Sequence, residues 1–295
     1  MAPPAGASHR WASTTARHMK KRMARTPHTG ADAHKKELIS LLRDNARRHR
    51  LHEVFSDFVE LSALTISNAV DRIQYGPREA RYLQIVERYE REEVERFPRM
   101  FAALVEWMEE GFADNLGDLF MSLEMGDRWK GQFFTPFSVA ALMARLSLGD
   151  ARAQIERDGF VSINEPACGA GGMLVACAET LHEQGINFQQ AMHGTAIDID
   201  ATAVHMTYLQ LSLRHVPAIV IHGNALAMEE QAHWVTPAHV LGGWDRRLRQ
   251  RDAAHEMAAK SFMPSRLSVE DAPVAALDSV ARQVVALRAE QLGLF

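Results

Sequence analysis

The strongest constraint on this chain lies between Phe160 and Leu174, where an apolar run, three clustered glycines and a helix-compatible run follow one another without a gap. Phe160-Val-Ser-Ile-Asn reads as a short buried strand, and Gly172 to about Gln184 reads as a helix. Gly169, Gly171 and Gly172 sit at or beside the junction. Glycine there lets the backbone approach a ligand closely, and the N-terminus of the following helix points N–H groups at anionic atoms. The spacing is not G-x-G-x-x-G, which argues against a dinucleotide site. A plain tight turn is the alternative reading, and three glycines at a strand-to-helix junction weigh against it.

The same rhythm continues downstream. Met192 to Asp198 reads as a second strand, Ala201 to Arg214 as an amphipathic helix, and Pro217 to His222 as a third strand stopped at Gly223. Strand and helix alternate as in βαβ units, which predicts a parallel sheet in an α/β fold. Asp198 closes the second strand, where a carboxylate can accept hydrogen bonds from ribose hydroxyls. Asp200 is placed to cap the next helix. Asn224 follows the third strand and could accept from an adenine amino group, or could equally serve a turn. Upstream, Gly131-Gln-Phe-Phe-Thr-Pro leads into a helix with Thr135 as N-cap and Pro136 at its first position. Beyond Ala225 the sequence predicts no further strand. It predicts a helical tail over 236–295, with helices from Pro237 to about His255 and from Pro273 to Gln291.

Residues 35–127 read as a helical domain, with 128–235 as the α/β domain. Its apolar positions recur at helical spacing from Glu37 to about Ile73, and Gly76-Pro77 interrupts them. Further helices are expected over Arg78 to Arg96, after Pro98 as far as Gly111, and over Leu116 to Glu124. Residues 1–34 form a basic leader with little to bury, expected to be disordered. The first fifty residues carry twelve Lys or Arg against three acids. The chain totals −4, so the remainder carries −13. That acidity argues against the chain being a strong DNA clamp by itself.

Several function classes are disfavoured. No stretch approaches the ~20 uncharged apolar residues of a membrane-spanning helix, and the N-terminus lacks the apolar core of a signal peptide. Cytoplasmic location is therefore the expectation. Two cysteines, Cys168 and Cys177, lack a partner at metal-ligand spacing, and the fourteen histidines form no H-E-x-x-H arrangement. No metal site is expected. G-x-S-x-G is absent too. Arginines 246, 247, 249 and 251, with Trp234 and Trp244 nearby, could touch nucleic acid, although a solvated helix face is the commoner explanation.

Four motifs, in this order and at these intervals, resemble the motif succession of the N6-adenine DNA methylases, in particular the methylase subunits of type I restriction-modification systems. They are Gly-Gln-Phe-Phe-Thr-Pro (131–136), Glu-Pro-Ala-Cys-Gly-Ala-Gly-Gly (165–172), Ala-Ile-Asp-Ile-Asp (196–200) and His-Gly-Asn-Ala-Leu (222–226). The resemblance implies a Rossmann-like methyltransferase fold, S-adenosylmethionine as cofactor and DNA as partner. By resemblance Phe133, Phe134, Thr135 and Pro136 would line the cofactor pocket. Glu165 to Gly172, with Cys168, Gly169 and Gly171 among them, would wrap the methionine part. Asp198 would hold the ribose, and Asn224 would face the adenine. The family's acceptor motif (Asn, Asp or Ser, then Pro-Pro and an aromatic) has no counterpart: the only Pro-Pro pair is Pro3-Pro4. Trp234-Val-Thr-Pro and Phe262-Met-Pro-Ser do not fit it. The chain is thus expected to supply only the cofactor half of the sheet. Its first strand would have an open edge, covered by the helices of 237–291 or by another protein subunit that supplies the acceptor half or target recognition.

Overall fold

A computed structural model describes residues 29–123 and 134–262. The expected leader, Phe133 and the expected helix from Pro273 lie wholly or largely outside the described residues. Residues up to Asp245 form one compact unit and those from Arg246 a second.

Three strands and their intervening helices build the centre. Strand β1 (Val161–Glu165) pairs in parallel with β2 (Met192–Asp198), and β2 in parallel with β3 (Ala218–Asn224). The alternation rule thus gave the right direction for these strands, and the run is the Rossmann-like half-sheet expected. Val161, Met192, Gly194, Ala196, Ala218 and Val220 alternate onto one face and are buried there. Gly194 leaves room for Leu174, since a Cβ would come within 3.1 Å of it. On the opposite face Ser162 and Asn164 of β1 are exposed.

The N-terminal helices are α1 (Thr29–Asn45), α2 (Leu51–Val70), α3 (Tyr75–Val86), α4 (Arg91–Val94), α5 (Arg96–Glu109) and α6 (Asn115–Ser122). The single helix expected from Glu37 to Ile73 is two, broken at residues 46–50. Next come α7 (Phe137–Leu148), α8 (Ala151–Asp158), α9 (Gly172–Glu183), α10 (Phe188–Ala191) and α11 (Ala201–Leu213). Two short ones, α8 and α10, lack a strong apolar period and were not expected. Helix α7 begins one residue later than expected: Pro136, at ψ 136°, is still extended and takes the N-cap place assigned to Thr135. Pro136 O then accepts from Val139 N at 2.8 Å and Ala140 N at 3.0 Å.

Helix α11 corrects a second expectation. An amphipathic helix was predicted, yet every residue from Ala203 to Ser212 is buried. It lies between the sheet and α2, so it has no solvent face. Its polar residues Thr207 and Gln210 are therefore inside the protein and must find partners there.

The prediction of no strand beyond Ala225 is also overturned. Strand β4 (Glu229–Val235) runs antiparallel along β3, with a bulge at His222/Gly223. Glu-Glu-Gln-Ala-His-Trp-Val has no apolar alternation to announce it, because only Trp234 is buried. Gly223 is required, since a side chain there would run into the carbonyl of Glu229. Trp234 anchors the strand. It meets His205 and Tyr208 of α11 at ring-centroid distances of 5.0 and 5.3 Å, and the Arg78 guanidinium stacks 4.1 Å from its ring centre. Arg78 is itself buried. It pairs with Asp71 at 2.7 Å, bonds Ser67, and donates to His233 O at 2.7 Å. The expected helix from Pro237 is likewise two, α12 (Pro237–Leu241) and α13 (Trp244–Phe262), separated by Gly242-Gly243.

Arg78→Ala would leave the Asp71 carboxylate without its cation and unstack Trp234. A loss of about 3 kcal/mol or more is expected, read as a lowered midpoint in urea. His205 yields a pH prediction. Burial pushes its pKa down to about 4, with the Glu60 carboxylate opposing more weakly. In the unfolded chain it would titrate near 6.5, so folding stability is undiminished above that pH. It falls as pH drops from about 6.5 toward 4, by up to about 3 kcal/mol. Denaturation midpoints across that range should show the slope, and His205→Phe should flatten it.

Candidate active site

The glycine turn lies between β1 and α9 and is fixed from both sides. Toward the sheet, Cys168 N donates to Ile197 O at 2.9 Å, and Gly169 N donates to Asp198 Oδ2 at 2.8 Å. The other Asp198 oxygen accepts from Asp200 N at 3.0 Å. Asp200 caps α11, as expected, accepting from Thr202 N and Ala203 N at 2.7 and 3.1 Å. Toward α11, Thr207 Oγ1 donates to Gly169 O at 2.8 Å, and Gln210 Nε2 donates to Ala170 O at 2.6 Å.

Two glycines meet steric demands that other residues would not. Gly171 has φ +89°, and a Cβ there would stand 3.3 Å from the Thr207 Cα. Gly169 has φ +54°, and a Cβ would strike the Phe134 ring at 2.8 Å. Gly172 opens α9, whose first-turn N–H groups have no intrahelical acceptor.

A cavity of about 350 Å³ opens beside this turn, within the range of small-molecule sites. Phe134, Thr135, Glu165, Cys168, Gly169, Gly172 and Asp198 line it, so seven of the eleven residues singled out in the sequence converge on one cleft. Gly171 and Pro136 are not among the lining residues. Phe133 lies outside the described residues. Asn224 is not among the lining residues: its Oδ1 accepts from Leu226 N at 3.0 Å and Ala227 N at 3.2 Å, which makes it a turn residue.

Sequence reasoning missed Asp114. It caps α6 by accepting from Gly117 N at 2.9 Å, reaches the cleft from the N-terminal helical segment, and also holds Gln210 Nε2 at 2.8 Å. The signal available was an Asp immediately ahead of a helix, which announces a cap and nothing more. Met143, Ala167, Ala170, Met173 and Ala203 complete the wall.

The cleft is electrostatically one-sided. Asp114, Glu165 and Asp198 line it, and among the described residues no Lys, Arg or His does. Burial pushes the pKa values of Asp114 and Glu165 up, and Asp198 adds to the effect on Glu165. Burial also raises the Cys168 thiol to about 12, so it is no nucleophile. Among the described residues no cluster of His, Cys, Asp or Glu could hold a metal ion, and no helix is long and apolar enough to cross a membrane.

A half-sheet of this order, with a glycine turn after the first strand and an acid closing the second, defines a Rossmann-like methyltransferase fold. Residues 118–241, which contain the whole turn and most of the cleft, match the family model of the N-6 DNA methylases. Among solved structures, the chain is similar to one assigned as a class I S-adenosylmethionine-dependent methyltransferase from Listeria monocytogenes. The two are 20% identical, the match covers 67% of this chain and 55% of that one, and the TM-score is 0.33. The chain thus spans little more than half the length of that protein. No curated protein matches it.

Gly171→Ala should strain the left-handed turn by about 1–2 kcal/mol and push against Thr207. A lowered melting temperature together with weakened ligand binding is expected. An unchanged melt would mean that the turn relaxes freely.

Proposed function

We propose that the cleft binds S-adenosylmethionine and that the chain is an N6-adenine DNA methyltransferase-like protein. The observation that carries this reading is the charge of a glycine-walled cleft: three carboxylates and, among the described lining residues, no cation. Such a wall repels the phosphates of a nucleotide or dinucleotide. It suits a nucleoside whose amino-acid tail carries one carboxylate against two cationic groups, the ammonium and the sulfonium. The lone anionic end would sit at the N-terminus of α9, and Asp198, at the end of β2, would accept from the ribose hydroxyls. Phe134 supplies an apolar wall. When bound, the cofactor supplies an electrophilic methyl group.

A second reading is favoured by two specific observations. The sequence contains no acceptor motif, and the fourth strand lies antiparallel beside β3 and not parallel beside β1. On this reading the chain is a methylase-derived cofactor-binding or interaction protein of a restriction-modification or mobile-element system. Alternatively another subunit supplies the groups that orient the flipped adenine, with DNA as the shared partner.

Calorimetric titration with S-adenosylmethionine should give micromolar binding, about −8 kcal/mol. Asp198→Ala should weaken it by about tenfold or more, since it removes both the ribose acceptor and the tether of Gly169. Labelled-methyl transfer to adenine-containing DNA then separates the readings: transfer supports the enzyme, and binding without transfer supports the second. No binding would remove the cofactor from both.

A further inference from the structure

We infer that Asp114 is the counter-ion for the α-ammonium group of the cofactor's amino-acid tail. This rests on the cofactor reading above and adds a specificity-determining residue that lies ahead of the four motifs.

Asp114 is only 7% exposed, and its two oxygens are used unequally. Oδ1 accepts from Gly117 N at 2.9 Å and from Gln210 Nε2 at 2.8 Å. Oδ2 accepts from no described residue, and the side chain lines the cleft. The cap of α6 therefore needs half of the carboxylate, and the other half faces the ligand space. A buried carboxylate whose only donors are neutral is costly to keep ionised, and the cost falls when a cation arrives. The nearby Arg214 acts on Asp114 only through space, the least of the influences on its carboxyl. Its guanidinium donates to Gly111 O, Ala113 O and Asn115 Oδ1 and bonds neither Asp114 oxygen.

Position identifies which cation. A Cβ built on Gly172 would lie 3.0 Å from Asp114 Oδ2, so the free oxygen abuts the first residue of α9. That helix terminus is where the tail's carboxylate would bind. The α-carboxylate and α-ammonium share one carbon, so their binding groups must be neighbours. The other two acids are less suited. Asp198 lies at the end of β2 and is assigned above to the ribose, and Glu165 is only partly buried and accepts from Ala167 N at 3.4 Å.

The test uses the full chain, the isosteric Asp114→Asn and three probes: S-adenosylhomocysteine, its analogue lacking the α-amino group, and its analogue lacking the α-carboxyl group. Asparagine retains the oxygen that caps α6 and holds Gln210, so a denaturation midpoint close to wild type is expected. Asp114→Ala, which loses the cap, should melt earlier and serves as the control for folding. Wild-type protein should bind the des-amino analogue at least about tenfold more weakly than S-adenosylhomocysteine. Asp114→Asn should lose about the same factor for S-adenosylhomocysteine and the decarboxylated analogue, and nothing for the des-amino one. Equal losses for all three probes, or none, would assign Asp114 to capping alone and overturn the inference. Failure of the wild-type chain to bind S-adenosylhomocysteine would instead overturn the cofactor reading beneath it.

Discussion

The whole arrangement depends on helix α11 being buried on every side. A helix enclosed between a sheet and a second helical layer cannot turn its polar side chains to water, so Thr207 and Gln210 must bond inward. Their partners are the carbonyls of Gly169 and Ala170, the two peptide groups that shape the glycine turn. The turn is therefore held from behind by side chains whose geometry the core dictates. A left-handed pair of residues that would fluctuate in isolation becomes a fixed wall, at the expense of two polar groups in the interior.

Gln210 extends the constraint across the molecule. Its amide nitrogen spans Ala170 O and Asp114 Oδ1, and its oxygen accepts from Leu116 N at 3.4 Å. One side chain thus joins the turn after β1 to the start of α6. The N-terminal helices are part of the cleft in the same way. They supply Asp114, and through α2 they supply the layer that buries α11. A second bolt, Arg78, does for β4 what Gln210 does for the turn, joining the helical segment to the far side of the sheet through Asp71, His233 and Trp234.

How much of this could be read beforehand depended on whether a residue's neighbours in sequence are its neighbours in space. Gly169 to Gly172 and Asp198 were legible because strand-to-helix junctions are local and steric. The directions of β1 to β3 followed from alternation for the same reason. Asp114 was not legible, because its cap is local but its cleft role comes from a contact with Gln210 almost a hundred residues away. Strand β4 was hidden because its stability comes from one buried tryptophan and a register with β3, and not from its own apolar pattern. Asn224 was legible only as one of two readings, adenine contact or turn, and its Oδ1 holds its own loop. The buried character of α11 escaped because an apolar helix with interspersed polar residues looks amphipathic until its second cover is known.

The antiparallel β4 has a consequence for how the sheet could be extended. By lying along β3 it becomes the edge strand on that side, and its exposed glutamates discourage a further strand there. Among the described residues, β1 pairs only with β2, so its outer row of backbone donors and acceptors is the other border of the sheet, opposite β4. The sheet is in this sense a ribbon with two unlike hems: one guarded by charge, and one whose last residue, Glu165, lines the cleft.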